Sequence, residues 1–368
     1  MRKTFVYRLY PSRTQAAALA AVLDAHRHLY NAALEQRRLA YRMAGKSLTY
    51  GQQSAELKLL RRQVDELART NFSSCQATLR RLDRAYRAFF ARGGYPRFRG
   101  RTRFRTVEFP SLGDGCSLDQ GAKRVYFQHV GQLKVKWHRP LEGTIKTVAF
   151  SRRPSGWYVL VSCDLGDPPA SAHEPAVGID LGLVSFLATS DGRRVVARKP
   201  LRTEQARLRR AQRHLARCQP GSARRKKAVG RVARLHERVT NVRHDFHHKS
   251  ARSLVDAYGT IVVEDLSILG LARSRLAQSV HDAAWASFLA ILAHKAESAG
   301  VRVVRVDPRL TSQVCSGCGV VVPKALSVRV HACLACGLVL DRDVNAARNI
   351  LRLGSSRQAI TPAVAGVA

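Results

Sequence analysis

Acidic residues are scarce in this 368-residue chain: 26 Asp and Glu stand against 63 Lys and Arg, a formal charge of +37. A compact fold carrying that surplus repels itself. A polyanion is the expected remedy, bound with counterion release and strong salt dependence. Long apolar runs are also missing. The longest uncharged one, 283–293, falls short of the roughly 20 residues that span a bilayer. The opening Met1-Arg2-Lys3-Thr4-Phe5-Val6-Tyr7 lacks the apolar core of a secretory signal. No membrane partner and a cytoplasmic setting are therefore expected. A disulfide framework is not expected either. Of eight cysteines, Cys75, Cys116, Cys163 and Cys218 are scattered and read as reduced thiols, and the other four form two close pairs. No internal repeat is visible.

Along the chain, Arg2 to Tyr10 reads as a strand closed by Pro11. From Ser12 to about Arg92 the apolar period is helical, through Leu19, Val22, Leu23, Leu29 and Tyr30 to Leu79, Leu82, Tyr86 and Phe89, and Gly93-Gly94 ends it. Residues 95–105 interleave Arg97, Arg99, Arg101, Arg103 and Arg105 with Tyr95, Phe98 and Phe104, an alternation suited to phosphates and stacked bases. From 106 to 166 the pattern is extended. Leu133, Val135 and Trp137 alternate with basic residues, and a hairpin runs from 144 to 161, so a small barrel is expected that the first strand joins by skipping the helices.

A linker is expected at 167–175, then a strand and hairpin at 176–189. Two basic helical stretches follow, interrupted by Gln219-Pro220-Gly221-Ser222. Between Arg198 and Lys249 there are seventeen Lys or Arg and three acids, so these helices are candidate nucleic-acid surfaces, Arg224, Arg225, Lys226 and Lys227 among them. Further on come a strand at 260–263, a helix bearing Trp285, Phe288, Leu289 and Leu292, and a strand at 301–306. A last helix is expected at about 344–353 with a disordered tail at 354–368.

Two constellations carry chemistry. Cys315-Ser316-Gly317-Cys318-Gly319 and Cys333-Leu334-Ala335-Cys336-Gly337 are two knuckles separated by fourteen residues. Four thiolates in this arrangement make a closed tetrahedral zinc site, structural because no position stays open for substrate. His331 could stand in for one of the sulfurs. The second constellation is Asp180, Glu264 and Asp343. Asp180 sits inside the apolar strand Val177-Gly178-Ile179-Asp180-Leu181, Glu264 ends a strand, and Asp343 opens a helix. Singly, these residues read as a turn stabiliser, an arginine partner and a helix cap. Together on a basic chain they suit two-metal hydrolysis of a phosphodiester, with Mg2+ held on carboxylates. Asp265 and Asp341 are near neighbours that could take the place of Glu264 or Asp343.

The order strand-Asp, strand-Glu, zinc knuckles and Asp343-Val344-Asn345-Ala346-Ala347-Arg348-Asn349-Ile350 resembles the TnpB (OrfB) proteins of single-strand-transposing insertion sequences, relatives of the type V CRISPR effectors. Further resemblance lies in Arg8-Leu9-Tyr10-Pro11 with Gln15, in Tyr30-Asn31, in Arg243-His244-Asp245-Phe246-His247-His248-Lys249 and in Thr311-Ser312-Gln313-Val314-Cys315. The resemblance implies an α/β RNase H-like (RuvC) nuclease domain at 170–310 and 338–353, with a zinc finger inserted at 311–337. It further implies a wedge β-barrel at 1–10 and 106–166, interrupted by a helical recognition lobe at 11–105. The implied catalytic acids are Asp180, Glu264 and Asp343 with Mg2+, and the implied partners are a guide RNA from the element end and target DNA in a bacterial or archaeal nucleoid. A guide-dependent repressor would lack the three acids. A strand-joining transposase would need a His-x-His with a downstream tyrosine nucleophile, which does not stand out. A zinc-ribbon transcription factor would leave the acids unexplained.

Overall fold

Strict alternation makes β1 (Arg2–Tyr10) a strand with Phe5, Tyr7 and Leu9 facing inward, as a period of two requires. In the computed structural model, which describes residues 1–168, 173–266, 277–325 and 327–360 (without side chains at 277–278 and 357–360), the chain forms two compact units, 1–166 and 167–368. Part of the expected linker and residues 361–368 of the expected tail lie outside the described residues.

In the first unit, β1 pairs antiparallel with β7 (Gly156–Asp164) on one side and β5 (Gly131–Lys136) on the other. The remaining strands are β2 (Thr106–Phe109), β3 (Cys116–Asp119), β4 (Arg124–Phe127) and β6 (Thr144–Arg153), giving the order β2-β6-β7-β1-β5-β4-β3. β1 thus joins the later strands across the whole helical insertion. Four strands separate β2 from β4, yet the rings of Phe109 and Phe127 lie 5.1 Å apart. A flat sheet would hold those strands roughly 20 Å or more apart at its usual spacing, so this sheet curls into a barrel-like core with β2 and β3 as its edges.

The insertion contains α1 (Arg13–Ala44), α2 (Tyr50–Gln63), α3 (Asp65–Ala68) and α4 (Phe72–Arg92). Ser12 and Gln15 close a capping box at the start of α1, and Gln15 Nε2 also donates to the Gln132 carbonyl at 2.7 Å. The even helical period near Leu57 to Leu67 conceals a break. Val64 takes extended dihedrals and ends α2 before α3 begins.

The second unit is built on a five-stranded sheet, β10-β9-β8-β11-β12, with β8 (Ala176–Leu181), β9 (Ser185–Thr189), β10 (Arg194–Val196), β11 (Thr260–Glu264) and β12 (Arg302–Val306). β8, β9 and β10 form an antiparallel meander, whereas β11 runs parallel to both β8 and β12. One sheet face, through Val177, Ile179, Leu181, Ile261 and Val263, packs on α6 (Ala223–Val255), α7 (Ala277–Ala283) and α8 (Trp285–Ser298). α5 (Pro200–Ala216) lies along α6.

The opposite face is covered by α9 (Arg342–Ile360), with Ile350 packed among Val262 and Val306. Here the helix outruns its expectation. It continues to Ile360 instead of ending near 353, so the segment from 354 onward is not a tail from its first residue. A Cβ at Gly354 would fall 2.5 Å from Val262 Cγ2, so its glycine lets the continuing helix stay pressed on β11. A two-stranded hairpin, β13 (Val330–Ala332) and β14 (Val339–Asp341), leads into α9.

Candidate active site and metal centre

The parallel register places Asp180 and Glu264 side by side. Ile179 pairs with Val263, so the next residues, Asp180 and Glu264, lie at the same end of neighbouring strands on one face. That face is the one α9 covers: a Cβ on Gly178 would lie 2.0 Å from the Ala347 carbonyl oxygen, so only glycine admits the helix this closely. Asp343, in the first turn of α9, points toward the same end of the sheet, with its Oδ2 3.8 Å from where a Cβ on Gly182 would stand. The sheet therefore brings together three acids that the sequence spreads from 180 to 343.

Their charges are felt mutually. Burial first, then Glu264 and Asp343, push the Asp180 carboxyl well above the usual carboxylate range. Burial also raises Glu264, against a hydroxyl from Thr311 that donates to Glu264 Oε1 at 2.5 Å. Asp343 is raised by burial and by Asp341 beside it. Among the described residues no Lys or Arg forms an ion pair with Asp180 or Glu264, and Asp343 has only Arg329 at 3.8 Å. A like-charge cluster of hard oxygen donors, with no cation paired directly to Asp180 or Glu264 among the described residues, is a donor set that fits Mg2+ or Mn2+.

The near neighbours are otherwise engaged. Asp341 Oδ1 accepts from the backbone N–H of Asp343 and Val344 at 3.0 and 3.3 Å, which makes it the cap of α9, and its other oxygen takes Arg194 at 2.7 Å. Asp265 is exposed and paired with Arg305 at 3.1 Å.

The four knuckle cysteines converge without His331. Their sulfurs all lie within 4.8 Å of one another, with Cys315–Cys336 and Cys318–Cys333 each at 3.6 Å. Gly319 (φ +81°) and Gly337 (φ +73°) supply the left-handed turns, donating back to the Cys315 and Cys333 carbonyls. Burial opposes ionisation of Cys315, but N–H groups of Cys318 and Gly317 and the His331 imidazole pull it down to about 5. Cys336 takes an N–H from Leu338, yet its sulfur neighbours push it up to about 12. Four sulfurs at this spacing could hold a zinc ion. His331 is fully buried behind them, with its Nδ1 against the Lys324 ammonium.

The expected nucleic-acid residues divide. Arg97, Arg99, Arg101 and Arg103 are exposed on a loop pinned to α1, where Asn31 bonds both the N–H and the carbonyl of Arg99 at 2.8 and 3.0 Å. Tyr95 and Phe98 are exposed, but Phe104 is core, packed near Tyr30. Arg101 reaches Asp24 at 3.5 Å. Arg224, Lys226 and Lys227 face solvent, whereas Arg225 turns inward and donates to the Cys218 and Leu215 carbonyls at 3.1 and 3.3 Å. It closes the α5–α6 turn.

Sequence reasoning missed the latches. His247, buried, donates through Nε2 to the Ala283 carbonyl at 2.9 Å and stacks on Phe186. Asn345 and Asn349, both buried on α9, hold the loop that enters the first knuckle. Their only signal was the motif spacing, since a buried amide needs partners but does not name them.

With this geometry in view, comparisons place the chain. Its fold matches a solved complex of Cas12f1 with single-guide RNA and target DNA at a TM-score of 0.60, over 92% of this chain and 83% of that one at 15% identity. A protein of the Cas12f1 fold with a cluster of four cysteines is thus the class. Residues 159–275 match the OrfB_IS605 model, described as "Probable transposase", and residues 285–350 match one described as "Cas12f1-like, TNB domain". Residues 1–46 match one described as "Helix-turn-helix domain", although here that stretch is a strand followed by one unbroken helix. A Streptomyces pristinaespiralis protein named "Putative RNA-guided DNA endonuclease" is 37% identical, covering 98% of this chain and 91% of the relative. Escherichia coli K12 "Putative RNA-guided DNA endonuclease InsQ" is 28% identical over 96% and 92%. "CRISPR-associated endodeoxyribonuclease Cas12f1" of Sulfoacidibacillus thermotolerans is 34% identical over 34% of this chain and 31% of its own length. The chain belongs to the TnpB (OrfB) family, related to the type V CRISPR effectors. Among the described residues no helix is long and apolar enough to cross a membrane.

Proposed function

We propose that this protein is an RNA-guided DNA endonuclease of an insertion sequence, using a guide RNA from the element end to find DNA and Mg2+ to cut it. The observation that carries this reading is the convergence of Glu264 and Asp343 on Asp180, whose carboxyl they push up although Arg342 acts against them. The five-stranded sheet with α5–α9 is read as the RuvC-type nuclease domain, 311–337 as its zinc finger, and the first unit as wedge barrel plus recognition lobe. Zinc on Cys315, Cys318, Cys333 and Cys336 is structural, since four thiolates leave no open position.

Divalent cations at the acids would supply Lewis acidity and an activated water for phosphodiester hydrolysis. Asp180, whose carboxyl both other acids push up, would be a ligand of such a cation. Glu264 from the neighbouring strand, held by the Thr311 hydroxyl, and Asp343 from α9 would be the other ligands. No residue of the chain forms a covalent intermediate in this scheme. Arg97, Arg99, Arg103, Arg224, Lys226 and Lys227 grip the phosphates of guide RNA and hybrid, while base pairing reads sequence. Localisation to the cytoplasm and nucleoid follows from these partners.

The test is plasmid cleavage in Mg2+ by protein co-expressed with the flanking RNA of its element, wild type beside Asp180→Ala. Guide-matched cutting by wild type alone is expected. Tight guide-dependent DNA binding with no cutting by either would instead make the protein a repressor.

A further inference from the structure

We infer that Thr311 is a positioning residue for Glu264, and that through it the zinc finger sets the geometry of the carboxylate cluster. The inference rests on the metal-binding reading of Glu264 given above.

Thr311 is buried, four residues before the first knuckle cysteine. Its hydroxyl lies 2.5 Å from Glu264 Oε1 and 3.1 Å from the Pro308 carbonyl. With a single proton to give, it points at the nearer and charged acceptor, the stronger of the two bonds. A glutamate at the end of a strand retains several side-chain torsions, so a fixed donor on one oxygen restricts where the other can point.

What fixes Thr311 is the base of the finger. The Asn349 amide donates to the Thr311 carbonyl at 2.9 Å and to the Val314 carbonyl at 2.7 Å. Asn345, one turn earlier on the same helix face, donates to Val314 O at 2.8 Å and accepts from the Ser316 N–H at 2.9 Å. Ser316 lies inside the first knuckle, whose Cys315 N–H closes on the Val320 carbonyl at 2.9 Å. A continuous set of bonds therefore runs from the sulfur site through Asn345 and Asn349 to Thr311 and Glu264. The same helix carries Asp343, so one rigid element bears both an acid and the amides that seat the donor of another. Partners of this kind around metal ligands commonly set affinity by about 10–100-fold.

The experiment uses the zinc-loaded full chain, stripped of nucleic acid at high salt, and reads Mn2+ binding from the electron paramagnetic resonance of the free ion. Thr311→Val should weaken Mn2+ binding by about 10–100-fold. Thr311→Ser, which keeps the hydroxyl, should bind like wild type. Zinc content and melting temperature should be the same in all three, which separates positioning from misfolding. Stripping zinc from wild type should weaken Mn2+ binding to the Thr311→Val level, and stripping it from Thr311→Val should add no further loss. If Glu264→Gln loses Mn2+ while Thr311→Val binds as wild type, the inference falls and the nuclease reading stands. If Glu264→Gln binds Mn2+ as wild type does, the metal reading falls and takes the inference with it.

Discussion

The cysteine cluster and the carboxylate cluster are opposite solutions to holding a cation. The four sulfurs come from two turns, the second at the tip of the β13–β14 hairpin, and sit within 4.8 Å of one another. The three acids come from two parallel strands and a helix and gather at one end of a sheet, and among the described residues Asp180 and Glu264 form no ion pair. A closed soft site stabilises what surrounds it, whereas an open hard site keeps room for water and substrate. The sulfur cluster is made by local turns, so zinc would complete the finger it sits in. The carboxylates are gathered by the whole second unit, and their repulsion is sustained by packing elsewhere.

The largest break of this contrast is removal of an acid. Asp180→Ala, Glu264→Ala or Asp343→Ala should each lower guided cleavage by about a thousandfold or more, the several kcal/mol assigned to metal-assisted hydrolysis, with guide RNA binding retained in a gel-shift assay. Cys315→Ser should act differently: zinc content falls and amide exchange across 311–341 rises, because a structural zinc site contributes folding free energy directly.

A subtler break concerns stability. Asp180, Glu264 and Asp343 all have raised folded-state values. The folded state therefore holds protons that the unfolded state has already released. As pH rises from the ordinary carboxylate range through those raised values, stability is lost. Metal-free protein should accordingly melt lower at neutral than at mildly acidic pH. Asp180→Asn should raise the neutral-pH midpoint, by roughly 2–4 °C for each kcal/mol of relieved repulsion. Calorimetry across pH checks the sign. The smallest effect belongs to the surface cations: Arg224→Ala or Lys226→Ala should reduce the salt slope of RNA binding by about 1 each, and Arg225→Ala, whose guanidinium serves two carbonyls, should lower stability instead.

The same contrast explains what the sequence disclosed. The knuckles were legible to the residue because their geometry is written in spacing and in Gly319 and Gly337. The acids could be named by motif, but their convergence depends on the parallel β8–β11 register, which no local pattern states. Val64 ends a helix inside an unbroken apolar period, and Phe104 looks like part of a base-stacking alternation yet is core. Arg225 resembles its basic neighbours and differs only in what lies beneath it. Asn31, His247, Asn345 and Asn349 were visible only as motif letters, because the carbonyls they bind are brought to them by tertiary structure.

The most direct test of the two-site account is anomalous diffraction from crystals of the full chain grown with its guide RNA and soaked in Mn2+, recorded at the manganese and zinc edges. The account predicts manganese bounded by Asp180, Glu264 and Asp343, and zinc alone among the four cysteines. Manganese absent from the carboxylates, with the three side chains turned apart, would contradict it.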